Sequence, residues 1–291
     1  MDIENRLKEL FLKHFGLEPT NATLILQSGS NRVYYRLQNA NNTAIGTYGK
    51  DFNENQAFFY ITDLMHQLKF NVPEIYAISE DKHFYLQEDI GNKDLFSLIS
   101  VAQASNQNYN QEIDKYLRMS ISELVRLQRE MPNLIDFKKC YPYQEFGKDS
   151  ILYDLRYFMF YFAKIFDLNY DELELEKEFQ SFADELTSTD YSNFLYRDFQ
   201  SRNILIKDGD VYFIDYQAGR RGAPHYDLAS LLFQARAKLP GEKRAELLEY
   251  YMDCAEISSE DDRRNFAEKY YKFVCIRLLQ TLGAYGLRGI I

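Results

Sequence analysis

Three oxygen-bearing side chains that lie close together in the sequence, Asp198, Asn203 and Asp215, have the types and spacing that phosphoryl transfer requires. That reaction needs little covalent help from a protein. It needs a carboxylate to orient and deprotonate an attacking hydroxyl, and hard oxygen ligands to hold a divalent cation against the phosphates. Asp198, in YRDFQSRNIL, supplies the first; Asn203 in the same segment and Asp215 in YFIDYQ supply the second. Each stands at the end of a short apolar run, where a polar group would be costly if merely buried.

For these groups to converge, the chain between them must double back. Residues 193–217, NFLYRDFQSRNILIKDGDVYFIDYQ, alternate short apolar runs with polar loops, and Asp208-Gly209 between ILIK and VYFIDY is a strong hairpin turn signal. Upstream, residues 23–50 read as strand, loop, strand, turn and strand. NENQAFFYITDLMHQLKF then places Phe58, Ile61, Leu64, Met65 and Leu68 at helical spacing, ahead of Pro73 and two strand-like segments, EIYAIS and HFYLQEDI. From Asp94 onward helical periodicity dominates, near 111–130, 148–166, 171–187, 225–238, 241–255 and 260–285. Strands first and helices afterwards predict an α+β protein of two lobes, residues 1–90 forming the strand-rich one and 91–291 the mainly helical one.

The composition limits what else the chain can be. With 46% apolar and 27% charged residues the sequence matches a globular protein rather than a disordered one. A net charge of -10, without a long Lys/Arg run, disfavours nucleic acid as a partner. The N-terminal MDIENRLKELFLKHF is charged throughout, unlike a secretory signal, and YFMFYFAKIF is too short to span a bilayer, so a cytoplasmic protein without a membrane partner is expected. Cys140, Cys254 and Cys275 have no paired spacing, and the four histidines are scattered, which argues against a disulfide framework or a structural zinc.

YRDFQSRNIL followed by YFIDYQ resembles the catalytic loop and metal-binding Asp of aminoglycoside phosphotransferase and choline kinase-like enzymes. YDLASLL at 226–232 resembles that family's next segment, whose Asp, here Asp227, braces the loop. Within the family, SGSNRVYYRL, LQEDIG, RDFQSRNIL and IDYQ are most similar to bacterial kinases that phosphorylate N-acetylmuramate and N-acetylglucosamine at the anomeric hydroxyl. The resemblance runs from about Thr23 to Gly286. It implies a bilobal protein-kinase-like fold, ATP or another nucleoside triphosphate with Mg²⁺, and a small-molecule acceptor such as a sugar. By the same resemblance Asp198 is the catalytic carboxylate, and Asn203 and Asp215 hold the metal.

QSGSNRVYYRL becomes the phosphate-covering loop, in which Gly29 permits close backbone approach and Ser28, Ser30 and Asn31 offer hydrogen bonds. Taken alone, such a segment reads as an ordinary turn. Glu54 becomes the counterpart of the kinase helix glutamate; otherwise it is an acidic residue favoured by the helix dipole. Gln87, Glu88 and Asp89 stand where the chain crosses between lobes, with backbone groups for the adenine edge.

Two departures matter. The usual catalytic-loop His is Tyr196, and the third strand, TAIGTYG, lacks the lysine that grips the α and β phosphates. Arg32, Arg36 and Lys50 are the substitutes in reach, Arg32 being preferred because it sits in the covering loop. Arg220 and Arg221 are placed to meet phosphate or an anionic substrate group such as the lactyl carboxylate of N-acetylmuramate, or else form a solvated loop pair. The stripe from Ile151 to Ile165 reads as core, and its polar members Asp154 and Arg156 could reach the acceptor site in a kinase of this type. The chain ends LGAYGLRGII, before the point where the resembling sugar kinases stop, so a longer protein is expected. Two readings compete with an amino-sugar kinase: a kinase of choline, an aminoglycoside or another hydroxylated amine, and a nucleotide-binding regulator without turnover.

Overall fold

The computed structural model describes residues 2–26, 32–105, 109–188 and 190–290. Helix α1 (Ile3–Phe15) starts under the carboxylate of Asp2 and ends at Gly16 in the left-handed region, φ 75°. Its buried residues Leu7 and Phe11 pack on a five-stranded antiparallel sheet. The strands are β1 (Asn21–Ile25), β2 (Val33–Gln38), β3 (Thr43–Tyr48), β4 (Ile75–Ile78) and β5 (Phe84–Gln87), in the order β1-β2-β3-β5-β4. Leu37, Ala44, Phe84 and Leu86 complete that small core. Gly46 lets the helix close on β3: a Cβ there would stand 3.0 Å from Leu37 Cδ1 and 3.2 Å from Leu7 Cδ2.

Helix α2 (Phe52–Gln67) connects β3 to β4, and the Asp51 side chain caps it by accepting from Asn53 N and Glu54 N at 2.9 and 3.1 Å. Its buried face, Phe58, Ile61, Leu64 and Met65, joins the larger core of the helical region. Phe58 stacks on Tyr216 with ring centroids 5.3 Å apart, and the Thr62 and Tyr216 hydroxyls are 2.8 Å apart. These contacts tie the sheet side of the molecule to the segment that carries Asp215.

The helical region contains α3 (Leu95–Ala104), α4 (Gln111–Glu130), α5 (Lys148–Phe158), α6 (Glu172–Thr187), α7 (His225–Leu232), α8 (Gly241–Cys254) and α9 (Glu260–Ile290). Two antiparallel ribbons are set among them: β6 (Asn193–Leu195) with β9 (Arg220–Gly222), and β7 (Ile204–Lys207) with β8 (Asp210–Phe213). The β7–β8 turn places Asp208 and Gly209 at φ 53° and 88°, the left-handed pair that a two-residue hairpin turn demands.

The architecture is the expected one, an antiparallel sheet followed by a mostly helical region. Three local expectations differ. The helix foreseen over 148–166 widens into a π turn at Met159–Ala163, and α9 crosses at that place. The helix foreseen over 225–238 stops at Leu232, because Gln234 is drawn to the catalytic loop, where its Oε1 accepts from Ser201 N at 3.0 Å and Ser201 Oγ at 2.6 Å. The β6–β9 ribbon was not foreseen: strands of three residues, one of them reading Arg-Arg-Gly, carry no alternation to detect.

Candidate active site

Asp198 stands on the loop between β6 and β7, and that loop is fastened from behind by Asp227. The Asp227 side chain, fully buried in the first turn of α7, accepts from Tyr196 N at 2.7 Å and Arg197 N at 2.9 Å. Burial raises its pKa to about 7, with the two N–H bonds working the other way. Arg197 occupies the left-handed region at φ 80°, an uncommon conformation for a residue with a side chain, and its guanidinium anchors it. Nη2 donates to both carboxylate oxygens of Asp154 at 3.0 and 2.9 Å, and Nη1 donates to the Tyr226 hydroxyl at 2.6 Å. The guanidinium also lies over the rings of Phe146 and Tyr226, 4.6 and 4.9 Å from their centroids.

From this anchored backbone the three expected residues meet. The Asp198 carbonyl accepts from Gln200 N at 2.9 Å and from Asn203 Nδ2 at 2.8 Å, and Asn203 Nδ2 reaches Asp215 Oδ2 at 3.2 Å. The Ile214 N–H donates to the Asn203 carbonyl at 3.1 Å, and the Tyr196 hydroxyl donates to the Ile214 carbonyl at 2.6 Å. Tyr196, at the position of the family's His, therefore holds the residue immediately before Asp215. Asp215 itself has φ 71°, and Gln217 Nε2 donates to its Oδ1 at 2.9 Å.

This arrangement suits a divalent cation. Burial and the neighbouring Asp198 carboxylate push Asp215 above the ordinary carboxylate range, against the Gln217 hydrogen bond and the Arg202 and Arg32 cations. The Asn203 amide uses its nitrogen on Asp198 and Asp215, so its carbonyl oxygen is the atom that a cation would take. Among the described residues no three His, Cys, Asp or Glu side chains gather into a cluster, so phosphate and water oxygens must complete the coordination of such an ion.

These groups line a cleft of about 820 Å³ between the sheet and the helices. On its sheet side Arg32 and Glu54 meet, Nη2 to Oε1 at 3.5 Å, with the guanidinium of Arg32 5.4 Å from the Phe58 centroid. A cation and the α2 glutamate thus stand together although β3 has no lysine. Arg36 is committed elsewhere, to both oxygens of Asp89 at 2.6 and 2.9 Å, and Lys50 is exposed past the end of β3. Ser28, Gly29, Ser30 and Asn31 lie outside the described residues.

At the crossing, Gln87 pairs with Ile45 and Ile75 in the sheet, and the Glu88 N–H is already donated to the Glu74 carbonyl at 2.8 Å. The side chains of Glu88 and Asp89 are taken by Lys207 at 2.6 Å and by Arg36. All three residues line the cleft.

The cleft is also lined by residues that the sequence reading did not single out. Arg202, Arg236, Arg277 and Arg288 line it, together with Gln280 and Thr281. Among the described residues none of the four guanidinium groups has a carboxylate within ion-pair distance; Arg277 donates to the Ser230 hydroxyl at 3.0 Å and to the Gln280 amide oxygen. Part of this was available in the sequence, since Arg277, Thr281 and Arg288 fall on one face of a helix, with Ala284 among them. Four residues considered for phosphate or the acceptor have protein partners of their own. Asp154 holds Arg197, and Arg156 pairs with Glu176 of α6. Arg220, buried rather than solvated, donates to the Ala218 carbonyl at the cleft wall at 2.9 Å, lies over the Tyr143 ring and feels the Asp198 charge, and Arg221 lies over Phe137. Burial, helped by the Arg197 cation, pulls Arg220 down to about 10.

Comparison with known proteins agrees with this geometry. The profile of the phosphotransferase enzyme family matches residues 22–266. Among solved structures, the ethanolamine kinase of Plasmodium vivax superposes with a TM-score of 0.66 at 12% identity, over 92% of this chain and 76% of its own. A choline kinase from Streptococcus pneumoniae gives 0.61 at 14% identity, over 99% of this chain and 97% of its own. An amicoumacin kinase in complex with AMP-PNP and Ca²⁺ gives 0.67 at 11% identity, over 99% of this chain and 89% of its own. At these identities the likeness establishes a shared fold, that of the protein-kinase-like enzymes. No curated protein sequence matches the chain, and among the described residues no helix is long and apolar enough to cross a membrane.

Proposed function

Because the chain belongs to the phosphotransferase enzyme family, we propose that it moves the γ-phosphoryl group of Mg-bound ATP to a hydroxyl of an anionic amino sugar of the N-acetylmuramate type. Asp198 accepts the hydroxyl proton as the oxygen attacks phosphorus and the bond to the β-phosphate oxygen breaks. Asn203 and Asp215 hold the divalent ion, which neutralises charge on the phosphates. Arg32, steadied by Glu54, replaces the missing lysine, and the backbone of Gln87–Asp89 borders the base.

One observation carries the choice of acceptor: four arginines line the cleft and, among the described residues, none has a carboxylate within ion-pair distance. The acids of the cleft are committed elsewhere, Glu54 to Arg32, Glu88 to Lys207, Asp89 to Arg36 and Asp94 to the cap of α3. Asp198 and Asp215 are needed for the chemistry. A cationic acceptor such as choline or an aminoglycoside would meet guanidinium groups where it requires acidic or aromatic walls. A carboxylate-bearing sugar would meet fork-shaped donors suited to it.

ADP release is to be followed with Mg-ATP and N-acetylmuramate, N-acetylglucosamine, choline or kanamycin. Turnover should be fastest on N-acetylmuramate, and Asp198→Asn should abolish it while nucleotide still raises the Tm. Arg277→Glu should raise KM for N-acetylmuramate about tenfold or more, the value of one charge-assisted contact, with a smaller effect on N-acetylglucosamine. Faster turnover on choline or kanamycin than on either sugar would remove the anionic-acceptor assignment, and undiminished turnover by Asp198→Asn would remove the mechanism.

A further inference from the structure

On the side of the helical region away from the cleft, a second cavity of about 360 Å³ opens where α7 begins. None of its lining residues lines the cleft. His225, the first residue of α7, forms part of its wall and is 3% exposed, and neither ring nitrogen has a hydrogen-bond partner among the described residues. The ring stacks on Phe266 and Phe273, centroids 4.2 and 5.3 Å away. A buried polar side chain without a partner is rare in folded proteins and calls for an explanation.

The charges around the cavity indicate what would satisfy it. Its two carboxylates fold back on their own turns: Asp190 accepts from Ser192 N and Oγ at 2.8 and 3.0 Å, and Asp262 accepts from Ser259 Oγ at 2.6 Å. Its two cations are less committed. Among the described residues Lys269 has no carboxylate in ion-pair distance, and Arg129 has only Glu256 at 3.4 Å, itself 80% exposed. Pro224 and His225 put the positive end of the α7 dipole on the same wall, and no side chain caps that helix. Gln128 fixes the floor, donating to the Pro224 carbonyl at 3.0 Å and accepting from the Tyr251 hydroxyl at 2.5 Å.

We propose that this cavity is a second binding site, for a small metabolite bearing a carboxylate or phosphate oxyanion, with His225 and Lys269 as its donors. Burial and the Lys269 cation hold His225 neutral, at about 3, so that its ring offers one N–H to the ligand and needs no proton from it. The site stands on the helix whose Asp227 fastens the Tyr196–Arg197 backbone. It does not depend on the phosphotransferase reading, since none of its residues takes part in that chemistry.

Histidine ring signals in ¹H–¹³C NMR spectra test it. The chain has four histidines, and His225→Phe assigns the relevant signal while keeping the aromatic stack. With the cleft filled by Mg-AMP-PNP, inorganic phosphate and acetate are titrated separately, against sodium chloride at equal ionic strength. The His225 signal should shift saturably with at least one oxyanion, and Lys269→Ala should weaken that titration about tenfold. The stronger of the two oxyanions names the ligand class. A His225 signal that moves no further than it does with chloride would mean that the cavity holds water only, and an unchanged midpoint in Lys269→Ala would equally overturn the assignment.

Discussion

Removing the carboxylate of Asp154 should harm the protein more than its position on α5, away from the cleft, suggests. Asp154 is 3% exposed and binds the Arg197 guanidinium through both oxygens, so Asp154→Ala leaves a buried cation without its counter-charge. Breaking a buried pair from one side costs about 3–5 kcal/mol. Arg197 keeps the Tyr226 hydroxyl and two aromatic faces, which place the loss at the lower end, about 3 kcal/mol. For a chain of this size that corresponds to a fall in Tm of roughly 6–12 °C. Urea and thermal unfolding of Asp154→Ala, Asp154→Asn and the double variant Asp154→Leu/Arg197→Met separate the contributions. Both single variants should be destabilised, and the double variant should recover much of the loss, because it removes the orphaned charge together with its partner. A loss below about 1 kcal/mol for Asp154→Ala, or a double variant no better than the single one, would refute the claim that this ion pair anchors the Asp198 loop.

Two further outcomes follow from the same neighbourhood. Tyr196→Phe removes the hydroxyl that donates to the Ile214 carbonyl, so kcat should fall about tenfold, with nucleotide affinity nearly unchanged, as a buried acceptor is left unmet beside Asp215; an unchanged kcat contradicts the positioning role of Tyr196. Asp215 must be ionised to hold the metal, and burial beside Asp198 raises it, so its ionised form is lost on acidification earlier than that of an ordinary carboxylate. Activity at limiting Mg²⁺ should therefore decline above the usual carboxylate range, and excess Mg²⁺ should move that acid limb downward, since the ion binds only the ionised form; a limb insensitive to Mg²⁺ contradicts the metal role.

The meeting of Asp198, Asn203 and Asp215 was legible in the sequence because the residues are local. Asp198 and Asn203 share one loop, and a two-residue turn brings β8 and Asp215 back beside them, so spacing and turn chemistry sufficed to bring them together. The Arg32–Glu54 pair was half legible: each residue stood out by position, while their meeting depends on how α2 lies on the sheet. The arginine lining of the cleft was only partly legible. Arg202, Arg236 and the α9 pair Arg277 and Arg288 come from three separate stretches; the pair is related by helical spacing, while the meeting of all three stretches in one cleft depends on how α9 lies on α7. Asp154 was misjudged for a related reason. A polar residue at the edge of an apolar helix stripe looks outward-facing until the fold supplies Arg197, from 43 positions away, to receive it.

Helix α9 lies against α5 and its π turn with almost no room between the backbones. A Cβ at Gly286 would stand 1.6 Å from the Tyr161 carbonyl oxygen, and one at Gly283 would stand 3.0 Å from Phe158 N. The contact therefore divides this helix into a fixed side and a variable side. Any residue larger than glycine at either place would lever the helix away and shift the arginines on its opposite face, whereas the arginines can be exchanged without disturbing the seam. Point substitutions along that face would reshape the lining of the cleft while the loop that carries Asp198 stays as it is.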